Sequence, residues 1–426
     1  MSTSLAIVAV TFPVLLFRGA PLVVVIGVPC LLYLLTEGLP LTLFAQRLFT
    51  GIDVFLLLAI PLFALAGDLM NSGQLTDRLV AFAQALVGRV RGGLAAVNVL
   101  TSMLFSGITG SAAADASATG SLLIPMMKKA GYSAEFSAAL TAVSAIVGPI
   151  IPPSIVFIMY GSLSNTSVAD LFLAGIVPGI MMSFAHLVTA IILSHRRGYE
   201  SGGSTSLKRV AATGRQALPT LLVPGVIVGG IIFGVVTPTE AGAVAVLLAA
   251  ILGALFYRTL TFKKAFSGAY RVGLEVADTM LIIGVSNLLA WILTIERVPL
   301  MLSEAVLGLT TDPILVLLLI NLILLVVGMF LDTFPALVIL TSVLLPLAQS
   351  AGVDPVHFGV IISLNLMIGA VTPPVGILLF IGNRIARANM AGTLREVAPF
   401  LAASFLVLMI VTYLPQLSSG VVTLAK

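Results

Sequence analysis

Residues 141–161 read TAVSAIVGPIIPPSIVFIMYG, and residues 363–383 read SLNLMIGAVTPPVGILLFIGN. Each stretch is an apolar helix that is interrupted at a glycine and restarts at a pair of prolines. The same residue types recur at a constant distance of 221 residues: Pro125, Gly131, Gly148 and Pro152–Pro153 are matched by Pro346, Gly352, Gly369 and Pro373–Pro374. This spacing indicates an internal duplication with one broken helix in each copy.

The composition is that of an integral membrane protein. Of 426 residues, 59% are hydrophobic and 9% are charged, and the mean hydropathy is +1.18. The apolar runs are long and lack the two-residue alternation of barrel strands, which predicts an all-α polytopic membrane protein. The single cysteine, Cys30, excludes an internal disulfide and a cysteine-based metal site. No lysine follows a glycine, so a phosphate-binding P-loop is absent. We expect no ATP, no nucleic acid and no organic cofactor.

About ten segments are predicted to cross the membrane. Hydropathy places these spans at 4–17, 21–36, 51–71, 134–160, 171–194, 217–236, 240–257, 272–295, 357–383 and 396–415. Two further apolar regions, 92–127 and 313–348, have turn-forming centres, SGITGS at 106–111 and GMFLDTFP at 328–335. Their arms of roughly 14–18 residues are short for a membrane core of about 30 Å. We therefore predict two re-entrant helical hairpins.

The chain is predicted to be a single membrane domain, 1–426, built from two inverted halves. The boundaries are 1–194 for the first repeat, with hairpin 92–127 and broken helix 134–160; 195–216 for a cytoplasmic loop; and 217–426 for the second repeat, with hairpin 313–348 and broken helix 357–383. Each half holds five spans and one hairpin. Because five is odd, the second half starts on the opposite face of the membrane.

The positive charges set the predicted orientation. With the amino terminus outside, 18 of the 21 lysines and arginines fall on cytoplasmic segments, and only Arg47, Arg297 and Lys426 fall outside. Basic residues flank the first hairpin (Arg89, Arg91, Lys128 and Lys129) and neither end of the second. The first hairpin is thus predicted to enter from the cytoplasm and the second from the opposite side. This predicts a multi-pass membrane protein with both termini on the side opposite the cytoplasm.

Two amphipathic segments, 74–88 and 296–310, precede the two hairpins in matching places. Each mixes charged and apolar residues, which is typical of a helix lying along the membrane interface. They are either lateral arms that couple a moving hairpin to a fixed frame or ordinary interfacial connectors. The sequence leaves both readings open.

The helix breaks are the first candidate for a binding site. Proline lacks an N–H and obstructs the carbonyl one turn earlier, so each break leaves carbonyl oxygens without partners at bilayer depth. Ser144, Asn365 and Thr372 stand beside the breaks, and sodium takes oxygen ligands of this kind. The amino terminus of the following half-helix favours an anion. A proline kink that serves only packing is the alternative, and two kinks in register disfavour it.

The hairpin centres are expected to meet these breaks. The first centre supplies hydroxyls, carbonyls and flexible turns from Ser106, Gly107, Thr109, Gly110 and Ser111. In the second centre, Asp332 and Thr333 either cap the next helix or act as ligands. Asp115 lies inside the first hairpin, where a carboxylate is either part of the site or gate, or a hydrogen-bonded structural acid.

Other polar residues suggest only structural roles. His186, His195 and His357 are scattered without the spacing of metal ligands. Glu240, in the turn VVTPTEAG, follows Thr237 and Thr239, and this pattern predicts a helix cap.

Five runs together resemble one known family. They read FSGITGSAAADASATGSLLIPMMKKAGY at 105–132, AIVGPIIPPSIVFIMYG at 145–161, VTPTEAGAV at 236–244, GMFLDTFPALVILTSVLLPLA at 328–348 and IGAVTPPVGILLF at 368–380. In this order they closely resemble the large, DctM-like membrane subunit of tripartite ATP-independent periplasmic (TRAP) transporters. The resemblance covers essentially residues 50–400.

The resemblance implies a sodium-driven, elevator-type importer with sodium as the coupling ion. A transport domain of the hairpins and broken helices would move against a scaffold of the other spans. The implied partners are a small four-helix membrane subunit and a soluble periplasmic binding protein that delivers an organic acid. Because no small-subunit segment precedes residue 1, we expect that subunit to be a separate chain.

The resemblance also implies site residues. The sodium sites would lie near Ser106, Gly107, Gly110, Ser144, Gly148, Gly328, Asp332, Gly369 and Thr372. We assign substrate binding or gating to Thr109, Ser111, Asp115, Pro152, Pro153, Ser154, Thr333, Asn365, Pro373 and Pro374.

The predicted function is therefore the large permease subunit of an importer for a C4-dicarboxylate, sialic acid or a related carboxylate. The main alternative is a stand-alone sodium/divalent-anion symporter, which would transport without partner proteins. A remote alternative is an intramembrane protease that uses Asp115 and Asp332. The sparse charges and the regular repeat disfavour an enzyme.

Overall fold

The computed structural model describes residues 2–88, 90, 92–199 and 206–425. Arg89, Arg91 and Lys426, which entered the charge argument, lie outside the described residues, as do residues 200–205 of the predicted loop. The described residues form helices joined by turns and short connections, with no strand among them. Its helices are α1 (Thr3–Phe17), α2 (Leu22–Thr36), α3 (Thr42–Ile52), α4 (Ala59–Ser72), α5 (Leu75–Val87), α6 (Gly93–Thr109), α7 (Ala112–Lys129), α8 (Ala134–Ala145), α9 (Ile155–Ser164), α10 (Val168–Arg196), α11 (Leu207–Ile232), α12 (Pro238–Ile251), α13 (Phe262–Ile295), α14 (Val298–Leu309), α15 (Pro313–Phe330), α16 (Thr333–Ser350), α17 (Pro355–Gly369), α18 (Ile377–Ala386), α19 (Met390–Tyr413) and α20 (Ser419–Ala425).

The helices confirm the predicted all-α membrane class. Within the described ranges, eight helical segments are long and apolar enough to cross a membrane. They are α4 with its preceding 3-10 turn, α10, α11, α12 with the π-turn that extends it, α13, α15, α16 and α19. Helices α1 and α2, and the helices of both broken pairs, are shorter. The hairpin arms α15 and α16 reach spanning length, so the re-entry of that hairpin stays a prediction.

The 221-residue offset holds in the helix boundaries. Helix α7 begins at Ala112 and ends at Lys129, and α16 begins at Thr333 and ends at Ser350, 221 residues later at both ends. The offset also relates Ala134, the first residue of α8, to Pro355, the first residue of α17. The Pro152–Pro153 and Pro373–Pro374 peptide bonds are both cis. Both copies thus contain the predicted helical hairpin followed by a broken helix.

Some helix starts differ from the hydropathy prediction. Helix α11 begins at Leu207, so residues 207–216 of the predicted loop are its first turns. Helix α13 begins ten residues before the predicted position, at Phe262. Both have a hydroxyl N-cap, Ser206 and Thr261. Hydropathy detects only the apolar part of a helix, whereas the cap and the helix-forming residues that follow it set the start.

Helix α3 was not predicted. The offset places α3 and α4 together on the single helix α13, so the first copy has an interruption that the second lacks. The interruption begins at Asp53, whose φ of −80° and ψ of 59° end α3. The short α20 at the carboxyl end was also not predicted.

The helices pack in two groups. The hairpin cluster consists of α6–α10 and α15–α19, and the frame consists of α1–α4 and α11–α13. The frame contacts the hairpin cluster chiefly through α13 on α16 and α4 on α6. Helices α10 and α19 pack on the hairpins and broken helices, whereas the family resemblance implied that they belong to the scaffold. The two hairpins and two broken helices thus pack together with two further long helices.

The two copies cross over inside the hairpin cluster. Helix α9, from the first broken helix, packs on α16 of the second hairpin. Helix α18, from the second broken helix, packs on α7 and α8 of the first copy. Lys128, at the end of α7, donates a hydrogen bond of 2.7 Å to the carbonyl of Ala386, the last residue of α18. This contact satisfies a free carbonyl at a helix carboxyl terminus.

Helices α5 and α14 occupy the two predicted amphipathic segments. Helix α5 packs on both α6 of the first hairpin and α11 of the frame, and α14 packs on α16 of the second hairpin. The Arg78 guanidinium of α5 lies 3.8 Å from the centre of the Tyr257 ring. Glu296, which precedes α14, accepts hydrogen bonds from Ser2 at 2.9 Å and Tyr33 at 2.8 Å. Both segments therefore link a hairpin to the frame.

Candidate functional site

Each hairpin tip contacts the helix break of its own copy, as the sequence predicted. In the second copy, a methyl group built on Gly369 would lie 2.6 Å from the carbonyl carbon of Gly328. In the first copy, a methyl group on Gly110 would lie 2.7 Å from the carbonyl oxygen of Pro153. Gly110 also has a left-handed φ of 58°, which disfavours any side chain. Glycine is therefore required where tip and break meet.

Gly107 and Gly148 are less crowded. A methyl group on Gly107 would lie 3.1 Å from the Pro224 side chain and 3.6 Å from the Pro152 carbonyl oxygen. One on Gly148 would lie 3.1 Å from the Ala145 carbonyl oxygen and 3.7 Å from Ser111. The two distances of 3.1 Å are tight, whereas those of 3.6 and 3.7 Å are ordinary van der Waals contacts. The two breaks thus differ in how closely their glycines are approached.

The first break satisfies part of its own backbone. The hydroxyl of Ser154 donates to the carbonyl of Pro149 and accepts from the N–H of Phe157, so it caps α9. This is a structural role for a residue that the sequence placed in the substrate or gating set. Pro152 and Pro153 are buried, whereas Pro374 in the second break is exposed. Only the second proline pair reaches the surface of the chain.

Ser144 and Asn365 occupy equivalent positions, 221 residues apart, one turn or less before the breaks. Both are buried, and neither the Ser144 Oγ nor the Asn365 Oδ1 has a hydrogen-bond partner. The Asn365 amide nitrogen donates to the Asn321 Oδ1 at 2.6 Å and to the Ile361 carbonyl at 2.8 Å. The unpaired oxygen is thus held in one orientation. A buried oxygen without a partner is costly, and these two oxygens stand at matched positions of the repeat.

The polar groups of the first tip face mostly inward. The Ser106 hydroxyl is buried and donates to the Met103 carbonyl at 2.6 Å. Thr109 is buried, and its Oγ1 accepts from the Ser111 N–H at 3.5 Å. Ser111 is half-buried and caps α7 through a bond of 3.4 Å from Ala114 N–H. These hydroxyl groups therefore support the turn, and their remaining lone pairs are the ones open to a ligand.

In the second tip, Asp332 is the N-cap of α16 and one carboxylate oxygen accepts from the Thr333 N–H at 2.7 Å. Thr333 is the first residue of α16 and is buried. The Thr372 hydroxyl, in the second break, donates to the Ile368 carbonyl at 2.6 Å. Asp332 thus caps α16, which was one of its two predicted roles. Its other carboxylate oxygen takes no part in that cap.

Asp115 is fully buried in α7, and neither carboxylate oxygen has a hydrogen-bond partner of normal geometry. The Ser102 and Thr119 hydroxyls are its polar neighbours. The Thr119 hydroxyl donates to the Asp115 backbone carbonyl, not to its carboxylate. The structure therefore places this carboxylate in the core beside two hydroxyls, and both roles weighed from the sequence stay predictions.

A cavity of about 550 Å³ lies between the first hairpin and the frame. Thr109 and Ser111 of the predicted site line it, with Ile155 at the start of α9. The frame contributes polar residues that the sequence analysis missed: Asp68, Asn71, Arg271, Glu275 and Thr279. Asp68 and Glu275 are acids inside predicted spans, so the rule that drew attention to Asp115 would have found them.

The histidines have ordinary partners. His186 is buried and bonds to the Ser404 hydroxyl at 2.8 Å, and His357 bonds to the Ser418 hydroxyl at 2.6 Å. His195 is exposed. Across the described ranges, no group of three histidine, cysteine or acidic residues is placed to hold a metal ion. The Thr237–Glu240 capping box that was predicted at α12 is present.

Paired hairpins that meet paired broken helices beside a polar cavity define a polytopic membrane protein with the architecture of a transporter. The profile of the family described as "Tripartite ATP-independent periplasmic transporter, DctM component" matches residues 9–417. The chain belongs to this family, whose members are the large permease subunits of TRAP transporters.

Individual proteins agree with the family. The chain is 41% identical over 408 residues to the sialic acid TRAP transporter large permease protein SiaM of Vibrio cholerae, covering 94% of both chains. It is 41% identical over 412 residues to YgiK of Salmonella typhimurium, covering 96% of this chain and 94% of that one. Among solved structures, it resembles the Alcanivorax borkumensis YdaH transporter with a TM-score of 0.61 and 14% identity, over 87% and 86% of the two chains. This last likeness concerns the fold alone.

Proposed function

We propose that this chain is the permease of a sodium-driven, binding-protein-dependent importer of a small organic acid. The substrate is a C4-dicarboxylate, sialic acid or a related carboxylate. The observation that carries the proposal is the contact of each hairpin tip with its helix break, in a member of the TRAP large-permease family. The proposal includes a small membrane subunit, a periplasmic binding protein and residence in the cell inner membrane with both termini periplasmic.

The donor set at the breaks supports sodium as the coupling ion. Sodium is a hard cation that takes oxygen ligands, and the Ser144 Oγ and the Asn365 Oδ1 are buried oxygens without partners. Each stands within about one turn of a helix break. We propose one sodium site at each break, with the oxygens of Ser144 and Thr372 among the ligands. A bound cation would satisfy groups that are otherwise costly to bury.

The division into frame and hairpin cluster supports an elevator motion. The cavity lies between the two groups, so a shift of the cluster along the frame would alter its access to either side of the membrane. Helices α5 and α14 link the hairpins to the frame, as lateral arms would. We propose that α10 and α19 move with the hairpin cluster, because they pack on it.

Reconstitution tests the proposal. The purified chain is placed in liposomes with an inward sodium gradient, alone or with its small subunit and binding protein, and uptake of radiolabelled organic acids is measured. We expect uptake only from the complete set, and only with sodium. Uptake by the chain alone would instead identify the stand-alone sodium/divalent-anion symporter. Equal uptake in potassium would contradict sodium coupling and leave dependence on the binding protein to be judged separately.

A further inference from the structure

The frame wall of the cavity carries one basic residue among the described residues that line it, Arg271 of α13. Its Nη2 lies 2.5 Å from the Oδ1 of Asp68 on α4. The Arg271 side chain remains 54% exposed, whereas the Asp68 side chain is 14% exposed. A guanidinium has five N–H donors, so one contact with Asp68 leaves others free to face the cavity. The Asp68 carboxylate is therefore largely buried, whereas the Arg271 guanidinium is accessible.

Three contacts hold Asp68 in place. Besides Arg271, its Oδ2 accepts from the Ser72 hydroxyl at 3.4 Å. The same oxygen lies against Gly268, one turn before Arg271, where an added methyl group would come within 2.1 Å of it. A side chain at position 268 would therefore force the Asp68 carboxylate away from its present position.

Arg271 also has an acidic neighbour on its own helix. Glu275 lies one turn further along α13, lines the same cavity and is exposed. A carboxylate that enters the cavity thus meets Arg271, which is already paired with Asp68 and has Glu275 beside it. Arginine recognises carboxylates through paired, parallel N–H bonds. A resident carboxylate competes for those bonds and weakens the capture of a second one.

We propose that Arg271 is a transient docking site for a carboxylate of the transported acid, and that Asp68 keeps this docking weak by competing for the guanidinium. The inference rests on the proposed function for the identity of the anion. In the predicted orientation, the end of α4 and the beginning of α13 lie on the cytoplasmic side. The pair then serves release, because the acid leaves as Asp68 regains Arg271.

The test measures carboxylate docking without transport. Ser117 is exposed and lines the cavity from the hairpin side, and Cys30 is buried. Ser117→Cys in a Cys30→Ala background, in lipid nanodiscs, is labelled with a negatively charged methanethiosulfonate reagent. The probe is succinate, added over a concentration series. The readout is the succinate concentration that halves the labelling rate, with a neutral reagent as the control for access.

Four substitutions separate docking from a general effect of charge. Asp68→Asn frees Arg271, so protection by succinate should need several-fold less succinate. Gly268→Ala should act in the same direction although it changes no charge, because the methyl group displaces Asp68. Glu275→Gln removes the same charge as Asp68→Asn but leaves the pair intact, so it should have the smaller effect. Arg271→Gln should abolish protection.

Two results would overturn the inference: protection that survives Arg271→Gln, or a gain in Glu275→Gln equal to that in Asp68→Asn. If Asp68→Asn fails to fold, Gly268→Ala still decides, since an unchanged succinate dependence there would also contradict competition by Asp68. The assay needs no sodium gradient and no partner subunit. A negative result here therefore leaves the uptake experiment intact, and a failed uptake experiment leaves this one interpretable.

Discussion

Gly328 and Gly369 face each other backbone to backbone, so that a methyl group on Gly369 would lie 2.6 Å from the carbonyl carbon and 2.7 Å from the carbonyl oxygen of Gly328. The equivalent glycine in the first copy, Gly148, has its nearest neighbour at 3.1 Å, within its own turn. The two copies of the repeat therefore share a plan but have their tightest contact between tip and break at different glycines, Gly369 in the second copy and Gly110 in the first.

This difference predicts unequal effects of one substitution. Gly369→Ala forces two backbones apart, which costs about 1–3 kcal/mol when there is no flexible side chain to move. We expect sodium-driven uptake to fall at least about tenfold, since a shift of this size moves the tip from the break. Gly148→Ala, the matched control, should retain most of its uptake. Uptake in proteoliposomes, normalised to protein recovered as a monodisperse peak, checks both, and equal losses would contradict the asymmetry.

Ser144 offers a test of the first cation site. Ser144→Ala removes an oxygen that has no hydrogen-bond partner, so no hydrogen bond within the protein is lost. We expect unchanged stability without sodium and a higher sodium concentration for half-maximal uptake. Ser154→Ala is the contrasting variant, because it removes a helix cap and should lower the free energy of unfolding by about 1 kcal/mol. Should Ser144→Ala lower stability in sodium-free buffer instead, its hydroxyl is structural.

Thr372 tests the second cation site. Thr372→Val preserves the shape of the side chain and removes the hydroxyl that now bonds to the Ile368 carbonyl. We expect a higher sodium requirement for uptake. Thr189→Val on α10 is the control, since that hydroxyl makes the same type of bond, 2.8 Å to the Ala185 carbonyl, away from both breaks. An equal change of sodium dependence in both variants would exclude the Thr372 oxygen as a ligand.

Sodium itself should stabilise the folded protein. A ligand that binds only the native state adds about 1.4 kcal/mol at roughly ten times its dissociation constant. We expect the thermal unfolding temperature to be higher in sodium chloride than in choline chloride at equal ionic strength. The difference should shrink in Ser144→Ala. If both salts give the same unfolding temperature, the unpaired oxygens of the breaks do not bind sodium.

Substitution of Asp115 tests whether this acid has a functional or a structural role. Its carboxylate is fully buried, with the Ser102 and Thr119 hydroxyls as its polar neighbours, and burying an acid in the core costs stability. Asp115→Ala should therefore leave the unfolding temperature unchanged or raise it, while uptake falls. A lower unfolding temperature would show that the acid serves the fold. Thermal unfolding and uptake, measured on the same preparation, distinguish the two outcomes.

Much of the fold was predictable because glycine and proline fix the backbone locally. The hairpin of α15 and α16 and the break after Gly369 were both located by such residues. The early starts of α11 and α13 were not predicted, because hydropathy does not detect the part of a helix that extends beyond the apolar core. The cap residues Ser206 and Thr261 were the signal from which these two helix starts could have been predicted.

The site was predictable only where its residues belong to one copy of the repeat. Gly328 and Gly369 follow from the duplication, whereas Asp68 and Arg271 are 203 residues apart and meet only because α4 packs on α13. No local pattern records that pairing. The packing of α9 on the other copy's hairpin is equally absent from the sequence, because it depends on how two finished halves interlock.

The crossed packing of α9 on α16 and of α18 on α7 bears on ancestry. Each half of the chain contributes one helix to the packing of the other half, so neither half has a complete core by itself. A half-length ancestor would have been stable only as a pair of oppositely inserted copies that exchanged these helices. Joining the two halves in one chain fixes the number and the relative orientation of the elements that exchange helices, while the 221-residue offset of their helix boundaries still relates them.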